Sequence, residues 1–363
     1  MSSRVKPTIL VAMSGGVDSA VVAALLKKRG YDVVGVTLQI WQESQKDPRH
    51  AGCCSLGAVE DARRVARLLE IPHYVLNYKD QFRETVIQNF IDEYAAGRTP
   101  NPCVQCNKNV KFDSLLEKME ELGCDKLATG HYARIRLDSR TGRYRLLRAR
   151  GGMKDQSYVL YMLGQEHLSK VMFPLGELGS KAETRRMAAE MGLPVAHKPD
   201  SQEICFVSEA GGYVEFLKKE RPDLFESKGE FVTPDGERLG ENQGVAAFTV
   251  GQRRGIGLTA RDGRPLYVLK LDPTQNRVVV GGSERLDQRQ VQLEEMSWTN
   301  GRPSEPVRVK AKVRYNMEAM PATLIPGEEP HLVFDHAVRA VTPGQIAVAY
   351  RGETVVAGGT IRS

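Results

Sequence analysis

Thr8–Ser19 reads TILVAMSGGVDS and is followed by AVVAALLKKR at Ala20–Arg29. The apolar run Thr8–Met13 predicts a buried strand, Ser14–Ser19 the turn, and Ala20–Arg29 a helix stopped by Gly30. Two adjacent glycines let a backbone turn sharply and bring N–H groups close to an anion. Ser14 and Ser19 add hydroxyls, and the positive end of the following helix points at the same place. Asp18 is out of place in an anion site unless a cation shares it, and Mg²⁺ between a pyrophosphate and a carboxylate would supply one. The plainer reading is a tight turn that happens to be rich in Gly and Ser.

Working outward, strands are expected at Val33–Ile40, His73–Leu76 and Lys126–Thr129. Helices are expected over Ala58–Leu69, around Phe82, Val86, Phe90 and Tyr94, and around Phe112, Leu115, Leu116, Met119 and Leu122. Alternation of this kind predicts an α/β class with a parallel, doubly wound sheet. Ligands of such sheets sit beyond the carboxyl ends of the strands, where Ser14 and Gly130 both fall. A hairpin is expected from Tyr132–Leu137 and Tyr144–Arg148, and Ser180 with Glu183 forms a capping box for a helix Ala182–Met191.

After Ser208 the texture changes. Helical periodicity is brief (Tyr213–Lys219), and short β-type runs follow at Ala246–Val250, Leu266–Leu271, Arg277–Val280, Val307–Tyr315, Ala322–Leu324, Leu332–Phe334, Ala347–Tyr350 and Val355–Ile361. Turns at Pro326-Gly327 and Pro343-Gly344 punctuate them, a pattern of small β-rich or β-barrel domains. The expected division is 1–208, an ATP-binding catalytic domain; 209–275, a small central β-rich domain; and 276–363, a C-terminal barrel.

The chain has 363 residues, 41% of them hydrophobic, enough for two or three cores. No apolar run reaches the length of a membrane span and the first residues lack a signal-peptide pattern, so a cytoplasmic protein without a membrane partner is expected. The net charge of +6 suits a polyanionic partner without requiring one. Arg253-Arg254 and Arg308–Arg314 (RVKAKVR) would grip nucleic-acid phosphates, or form exposed strand faces of no special function.

Six cysteines, at 53, 54, 103, 106, 124 and 205, are too sparse for a disulfide scaffold. Cys106 lies in the Pro-stiffened stretch TPNPCVQCNK (Thr99–Lys108) and Cys205 in DSQEICF (Asp200–Phe206). Sulfur is a strong nucleophile toward a carbon whose oxygen has been adenylated. Two distant cysteines can divide the work: a persulfide on one delivers sulfur, and the other closes a disulfide to release it. Cys205, between Ile204 and Phe206, could equally be a small buried hydrophobe. Cys53, Cys54 and Cys124 are expected to be structural.

SGGVDS resembles the PP-loop of ATP pyrophosphatases, which split ATP into AMP and pyrophosphate; it lacks the Lys of a Walker loop. Together with TPNPxxxCNxxxKF (Thr99–Phe112), ATGHYAR (Ala128–Arg134), KDQSY (Lys154–Tyr158), DSQEICF, GQRRGIG (Gly251–Gly257) and VRY (Val313–Tyr315), it resembles the tRNA-specific 2-thiouridylase family over most of the chain. The resemblance implies ATP and Mg²⁺, a tRNA partner presenting its anticodon loop, and a sulfur-carrier or cysteine desulfurase system. It implies ATP binding by Ala12, Met13, Ser14, Gly15, Gly16, Val17, Asp18, Ser19, Leu38 and Gly130. Cys106 would be the nucleophile and Cys205 would carry the persulfide. Asn101, Pro102 and Cys103 would face the target base, and His131, Lys154, Asp155, Gln156, Arg314, Tyr315 and Gln345 would contact tRNA.

One position departs from the pattern. Many members carry Asp where this chain has Cys103, which removes any role written for that carboxylate and creates a CxxC pair with Cys106. Cys103, Cys106 and Cys205 fit a [4Fe–4S] cluster with one open iron, zinc with an open position, or a redox trio. The hypothesis is a labile cluster in place of, or beside, a persulfide. An amide ligase or amidotransferase using the same loop, and an RNA-binding relative without catalysis, remain the alternatives.

Overall fold

The computed structural model describes residues 6–41, 56–151, 154–200, 204–260 and 263–362. They divide into two compact units. The first comprises the described residues of Met1–Val86, Cys103–Glu209 and Glu353–Val355; the second those of Ile87–Pro102, Ala210–Gly352 and Val356–Ser363.

The first unit is built on strands β1 (Thr8–Ala12), β2 (Asp32–Gln39), β3 (His73–Asn77), β4 (Lys126–Ala128) and, after a hairpin of β5 (Ala133–Asp138) and β6 (Arg143–Arg148), β7 (Val171–Met172). Their order is β3-β2-β1-β4-β7 and every pairing is parallel, as the alternating pattern predicts. The chain winds outward from β1 to β3, then crosses to β4 on the other side of β1. The strand order therefore reverses between β1 and β4, and a crevice opens at their carboxyl ends. Helix α1 (Val17–Lys28) returns from β1 with almost every residue from Val17 to Leu26 buried against the sheet, Val11, Ala62, Val65 and Leu193 among its core neighbours. Helix α2 (Leu56–Leu68) covers the sheet between β2 and β3. The β5–β6 hairpin closes where the Gly142 amide donates to the Asp138 carbonyl, with Gly142 at φ +67°.

The second unit holds two β structures. In the smaller, β8 (Gly229–Val232), β9 (Arg238–Asn242), β10 (Tyr267–Asp272) and β11 (Arg277–Gly281) form an open sheet of order β10-β11-β8-β9. The β10–β11 hairpin carries this sheet past residue 275. In the larger, β12 (Asp287–Trp298), β13 (Val307–Lys312), β14 (Met320–Ile325), β15 (His331–Arg339), β16 (Ile346–Arg351) and β17 (Thr354–Ile361) close into a six-stranded barrel through the β12–β17 pairing. Its lumen is filled by Val291, Val309, Ala311, Ala322, Leu324, Leu332 and Phe334.

Three strands were illegible in the sequence and one expected strand is absent. β12 reads DQRQVQLEEMSW, and only Val291 and Leu293 of it are buried, so the apolar alternation that announces a strand is missing. β8 and β9 are short and Gly-bearing. Ala246–Val250 is not a strand. Gly244 at φ +107° turns the chain into a 3₁₀ turn over Val245–Ala247, held by the Asn242 side chain on the Gly244 amide and the Asn276 side chain on the Val245 amide.

Phe334 is 1% exposed at the centre of the barrel. Phe334→Ala is expected to cost about 3–5 kcal/mol, read as loss of hydrogen-exchange protection and lower urea resistance of β12–β17, with β1–β4 unaffected.

Candidate active site

The turn after β1 is built as an anion cradle. The Met13 amide still bonds to the Val36 carbonyl on β2 (2.7 Å), so β1 holds its register up to the turn. Gly15 then adopts φ +70°, and a Cβ there would run into the Ala58 carbonyl at the start of α2. Only glycine fits. Ser19 Oγ accepts from the Ser14 amide (3.1 Å) and donates to the Gly16 carbonyl (3.2 Å), which ties the loop across its own mouth. Gly16 caps α1 without a side-chain hydrogen bond, so the first amides of the helix carry no local side-chain acceptor. Gly130, two residues beyond β4, packs on the loop so closely that a Cβ would sit 3.0 Å from both Asp18 Cβ and the Ser19 nitrogen. Ala12 and Leu38, at the ends of β1 and β2, are half-buried. All ten residues expected to bind nucleotide thus lie on β1, α1 and the carboxyl ends of β2 and β4, around one crevice.

The surroundings of Asp18 were not legible in the sequence. Lys181 Nζ lies 2.6 Å from both Asp18 oxygens and 2.9 Å from Asp200. The Tyr132 hydroxyl donates to Asp18 (2.7 Å) and lies 2.8 Å from Thr184 Oγ1. Burial and the Asp18 charge push the Tyr132 phenol far above its ordinary range, so it stays a donor. Lys198 Nζ donates to the Gly15 carbonyl (3.0 Å) and pairs with Asp61 (2.7 Å). One signal pointed to Lys181. It is the first residue of the helix Lys181–Glu190, whose Ser180 hydroxyl accepts from the Glu183 amide as the capping pattern predicts. A cation at a helix N-terminus opposes the dipole, so a nearby anion has to compensate it.

The cysteines sit on unusual backbone. Cys106 is buried and opens a run of wide π-helical turns over Cys106–Ser114, a geometry enriched at functional positions. Cys103 is exposed in the short helix Pro102–Gln105. Cys205 is half-buried at the start of the helix Cys205–Glu209. That helix is anchored by Phe206, 1% exposed, whose ring meets Trp41 (6.1 Å) and Phe82 (5.9 Å) edge-on, and by a hydrogen bond from Trp41 Nε1 to Glu209 (2.6 Å). Cys106 and Cys205 therefore belong to the unit that carries the glycine turn. Among the described residues no three His, Cys, Asp or Glu side chains converge as metal ligands, so Cys103, Cys106 and Cys205 do not form a ready-made cluster or zinc site. Cys124 is buried, and Cys53 and Cys54 lie outside the described residues.

The residues expected to contact tRNA are scattered. Lys154 is half-exposed and reaches Asp200 (3.0 Å). Asp155 is buried, accepting from Arg148, the Ala149 and Ser157 amides and the Ser157 hydroxyl. Gln156 accepts from the Tyr132 amide (2.9 Å). Asp155 and Gln156 thus brace the loop from within, and of the three only Lys154 reaches outward. His131 Nδ1 contacts Thr129 Oγ1 (2.8 Å), beside the Phe112 and Phe173 rings. Burial, helped by the Lys111 charge, lowers its pKa to about 3, so it offers RNA no charge. Within the second unit, Arg314 and Tyr315 are exposed beyond β13, and Lys312 lies over the Tyr315 ring (5.8 Å). Gln345 donates to the carbonyls of Thr99 (3.0 Å) and Pro100 (3.1 Å), and the Thr99 amide bonds to the Pro343 carbonyl (2.8 Å). The Pro343-Gly344 turn of the barrel is thus the seat of the segment leading to Asn101, half-buried, and Pro102, buried.

A parallel sheet with a glycine turn and a helix N-terminus at its switch point defines a nucleotide-phosphate-binding α/β protein. Family models place it further: residues 7–209 match the tRNA methyl transferase HUP domain, 214–282 the tRNA methyl transferase PRC-barrel domain and 288–361 the aminomethyltransferase beta-barrel domain. The tRNA-specific 2-thiouridylase MnmA of Heliobacterium modesticaldum is 49% identical over 360 residues, covering 98% of this chain and 92% of that protein. That of Clostridioides difficile is 46% identical over 356 residues, covering 97% of each. The chain belongs to the tRNA-specific 2-thiouridylase family. Among solved structures, a 4-thiouridine synthetase–RNA complex with bound ATP aligns at a TM-score of 0.35 and 20% identity, over 60% of this chain and 51% of that one.

Two outcomes follow from the geometry. Gly15→Ala should weaken ATP binding by more than about tenfold, because a left-handed L-residue costs roughly 1–2 kcal/mol before the clash with Ala58; equilibrium dialysis measures it. His131 holds its pKa below the ordinary 6.5 in the fold, so the unfolded chain takes up the proton first. Its contribution is intact above pH 6.5 and falls away as the pH drops toward about 3. His131→Gln should flatten that limb of the stability–pH curve.

Proposed function

We propose that this protein catalyses ATP-dependent 2-thiolation of the wobble uridine of tRNA. The observation that carries the reading is the anion cradle of the glycine turn in the same unit as two cysteines, one opening π-helical turns and one on an aromatic-anchored helix. An adenylating loop joined to two sulfur nucleophiles suits replacement of an oxygen by sulfur. An amide ligase would have no use for the cysteines. The names of the relatives support the same reading.

The reaction has two halves. The uracil oxygen at carbon 2 attacks the α-phosphorus of ATP and pyrophosphate leaves, its charge met by the amides of Gly15–Ser19, by Lys181 and by the N-terminus of α1. Asp18 would hold Mg²⁺, which supplies charge neutralisation to the pyrophosphate. In the second half the terminal sulfur of a Cys205 persulfide attacks carbon 2 and AMP leaves. The Cys106 thiolate then attacks the inner sulfur of Cys205, the 2-thiouridine departs, and a Cys106–Cys205 disulfide remains. An external thiol reductant resets it, and a sulfur-carrier or desulfurase system reloads Cys205. No step passes through a metal cluster. Asn101, Pro102 and Cys103 would face the base, which an anticodon loop can present unstacked. Lys154, Arg314 and Tyr315, with Arg253 and Arg254, would meet the tRNA backbone. His131, Asp155, Gln156 and Gln345 would support these contacts by holding the loops. The labour divides as an ATP-binding domain over 1–208, a central domain from 209 whose sheet runs through β11, and a tRNA-binding barrel to 363. An RNA substrate of this kind fits the cytoplasm, and among the described residues no helix is long and apolar enough to cross a membrane.

Incubation with ATP, Mg²⁺, a persulfide donor and unmodified tRNA should yield 2-thiouridine by nucleoside mass spectrometry, with stoichiometric AMP and pyrophosphate. Cys106→Ser and Cys205→Ser should abolish product while leaving tRNA binding intact. Undiminished activity of both variants would favour the amide ligase reading, and ATP turnover indifferent to tRNA would sink the thiolase reading. Active preparations should contain neither iron nor acid-labile sulfide in stoichiometric amount; cluster-dependent activity would overturn the persulfide route.

A further inference from the structure

Asp200 is the most heavily paired carboxylate near the glycine turn, and nothing in the reaction above uses it. Its oxygens lie 2.9 Å from Lys181, 3.0 Å from Arg185 Nη2 and 3.0 Å from Lys154. Burial opposes its charge, yet the Lys181 and Lys154 ammoniums hold its pKa below the ordinary value. Lys181 is shared, because the same Nζ is 2.6 Å from both oxygens of Asp18 in the first turn of α1. Two residues before Asp200, Lys198 grips the Gly15 carbonyl and Asp61. The segment Lys198–Asp200 is thus fastened to the glycine turn at two points, once through a backbone carbonyl and once through a shared ammonium. Five residues after Asp200 comes Cys205.

We propose that Asp200 is a positioning residue that senses nucleoside triphosphate in the glycine turn through Lys181 and restrains Cys205 until the nucleotide arrives. A bound triphosphate brings several negative charges to the N-terminus of α1, and the nearest ammonium is Lys181. One ammonium on a short tether cannot serve the phosphates, Asp18 and Asp200 at full strength together. As Lys181 turns to the phosphates, Asp200 loses a clamp and keeps Arg185 and Lys154. A phosphate of the RNA backbone drawing on Lys154 removes the second of its three cations. The persulfide-bearing cysteine is then released toward reaction only after the loop has filled. That order protects a reactive sulfur from side reactions while no activated base is present.

The inference rests on the reading that the glycine turn binds ATP, and the test separates the two. The full chain is exposed to limiting iodoacetamide with and without ATP, and labelling of Cys205 is quantified by peptide mass spectrometry; ATP binding is measured in parallel by equilibrium dialysis. In the wild type, saturating ATP should raise the Cys205 labelling rate about fivefold or more, the lower range of ordinary coupling between sites. Asp200→Asn should label at the fast rate without ATP and gain nothing from it, while Asp200→Glu, which keeps the charge, should restore the nucleotide response. Cys124 labelling reports on unfolding and should stay constant in all three proteins. Bound ATP that leaves Cys205 labelling unchanged or slows it, or an Asp200→Asn protein with the full wild-type response, overturns the inference and leaves the ATP reading standing. Failure of the wild type to bind ATP overturns both.

Discussion

The ammonium of Lys181 is the charge on which the phosphate-binding corner depends. A glycine turn at a helix N-terminus attracts anions, and Asp18 brings an anion of its own into that field. Without a cation the carboxylate would repel the ligand that the turn is shaped to hold. Lys181 neutralises it at 2.6 Å, and the Tyr132 hydroxyl fixes the orientation of the carboxylate from the other side. The cation in turn sits at the start of a helix, where the dipole disfavours it, and the two aspartates compensate. Each member of the group is in an unfavourable place by itself and a favourable one together.

Sheet topology decides that these groups meet. Asp18 follows β1, Tyr132 follows β4, and Lys181 follows β7 across more than 160 residues of chain. The reversal of strand order between β1 and β4 gathers the three at one end of the sheet. The second unit applies the same economy to another loop. The Pro343-Gly344 turn and Gln345 between β15 and β16 hold Thr99 and Pro100 by their backbone groups. A side chain read as an RNA contact is there engaged in fixing the loop that leads to Asn101 and Cys103.

Legibility followed the kind of interaction. The parallel sheet was readable because its strands are short apolar runs separated by amphipathic helices, as in Thr8–Met13 and Ala58–Leu69. The barrel was partly readable: β13 and β17 alternate visibly, while β12 hides because most of its side chains face outward from the lumen. The strand expected at Ala246–Val250 failed because a glycine at φ +107° and two asparagine side chains override an apolar run. In the site, the glycines, serines and cysteines were legible as motif residues, whereas Lys181, Lys198 and Asp200 were ordinary charges in the sequence.

The sequence by itself determined the local chemistry: a left-handed Gly15, a capped helix at Ser180, thiols at 106 and 205, and the strand and helix periods that build the first unit. These are properties of a few adjacent residues, set by sterics and hydrogen bonding at short range. Only the tertiary structure decided which charges share a partner. That Lys181 divides itself between Asp18 and Asp200, that Asp155 is an internal brace, and that Gln345 serves a loop some 245 residues away follow from long-range proximity. Electrostatic attraction falls off with distance and with water, so a charge acquires its role only when folding has chosen its neighbours and removed the solvent between them.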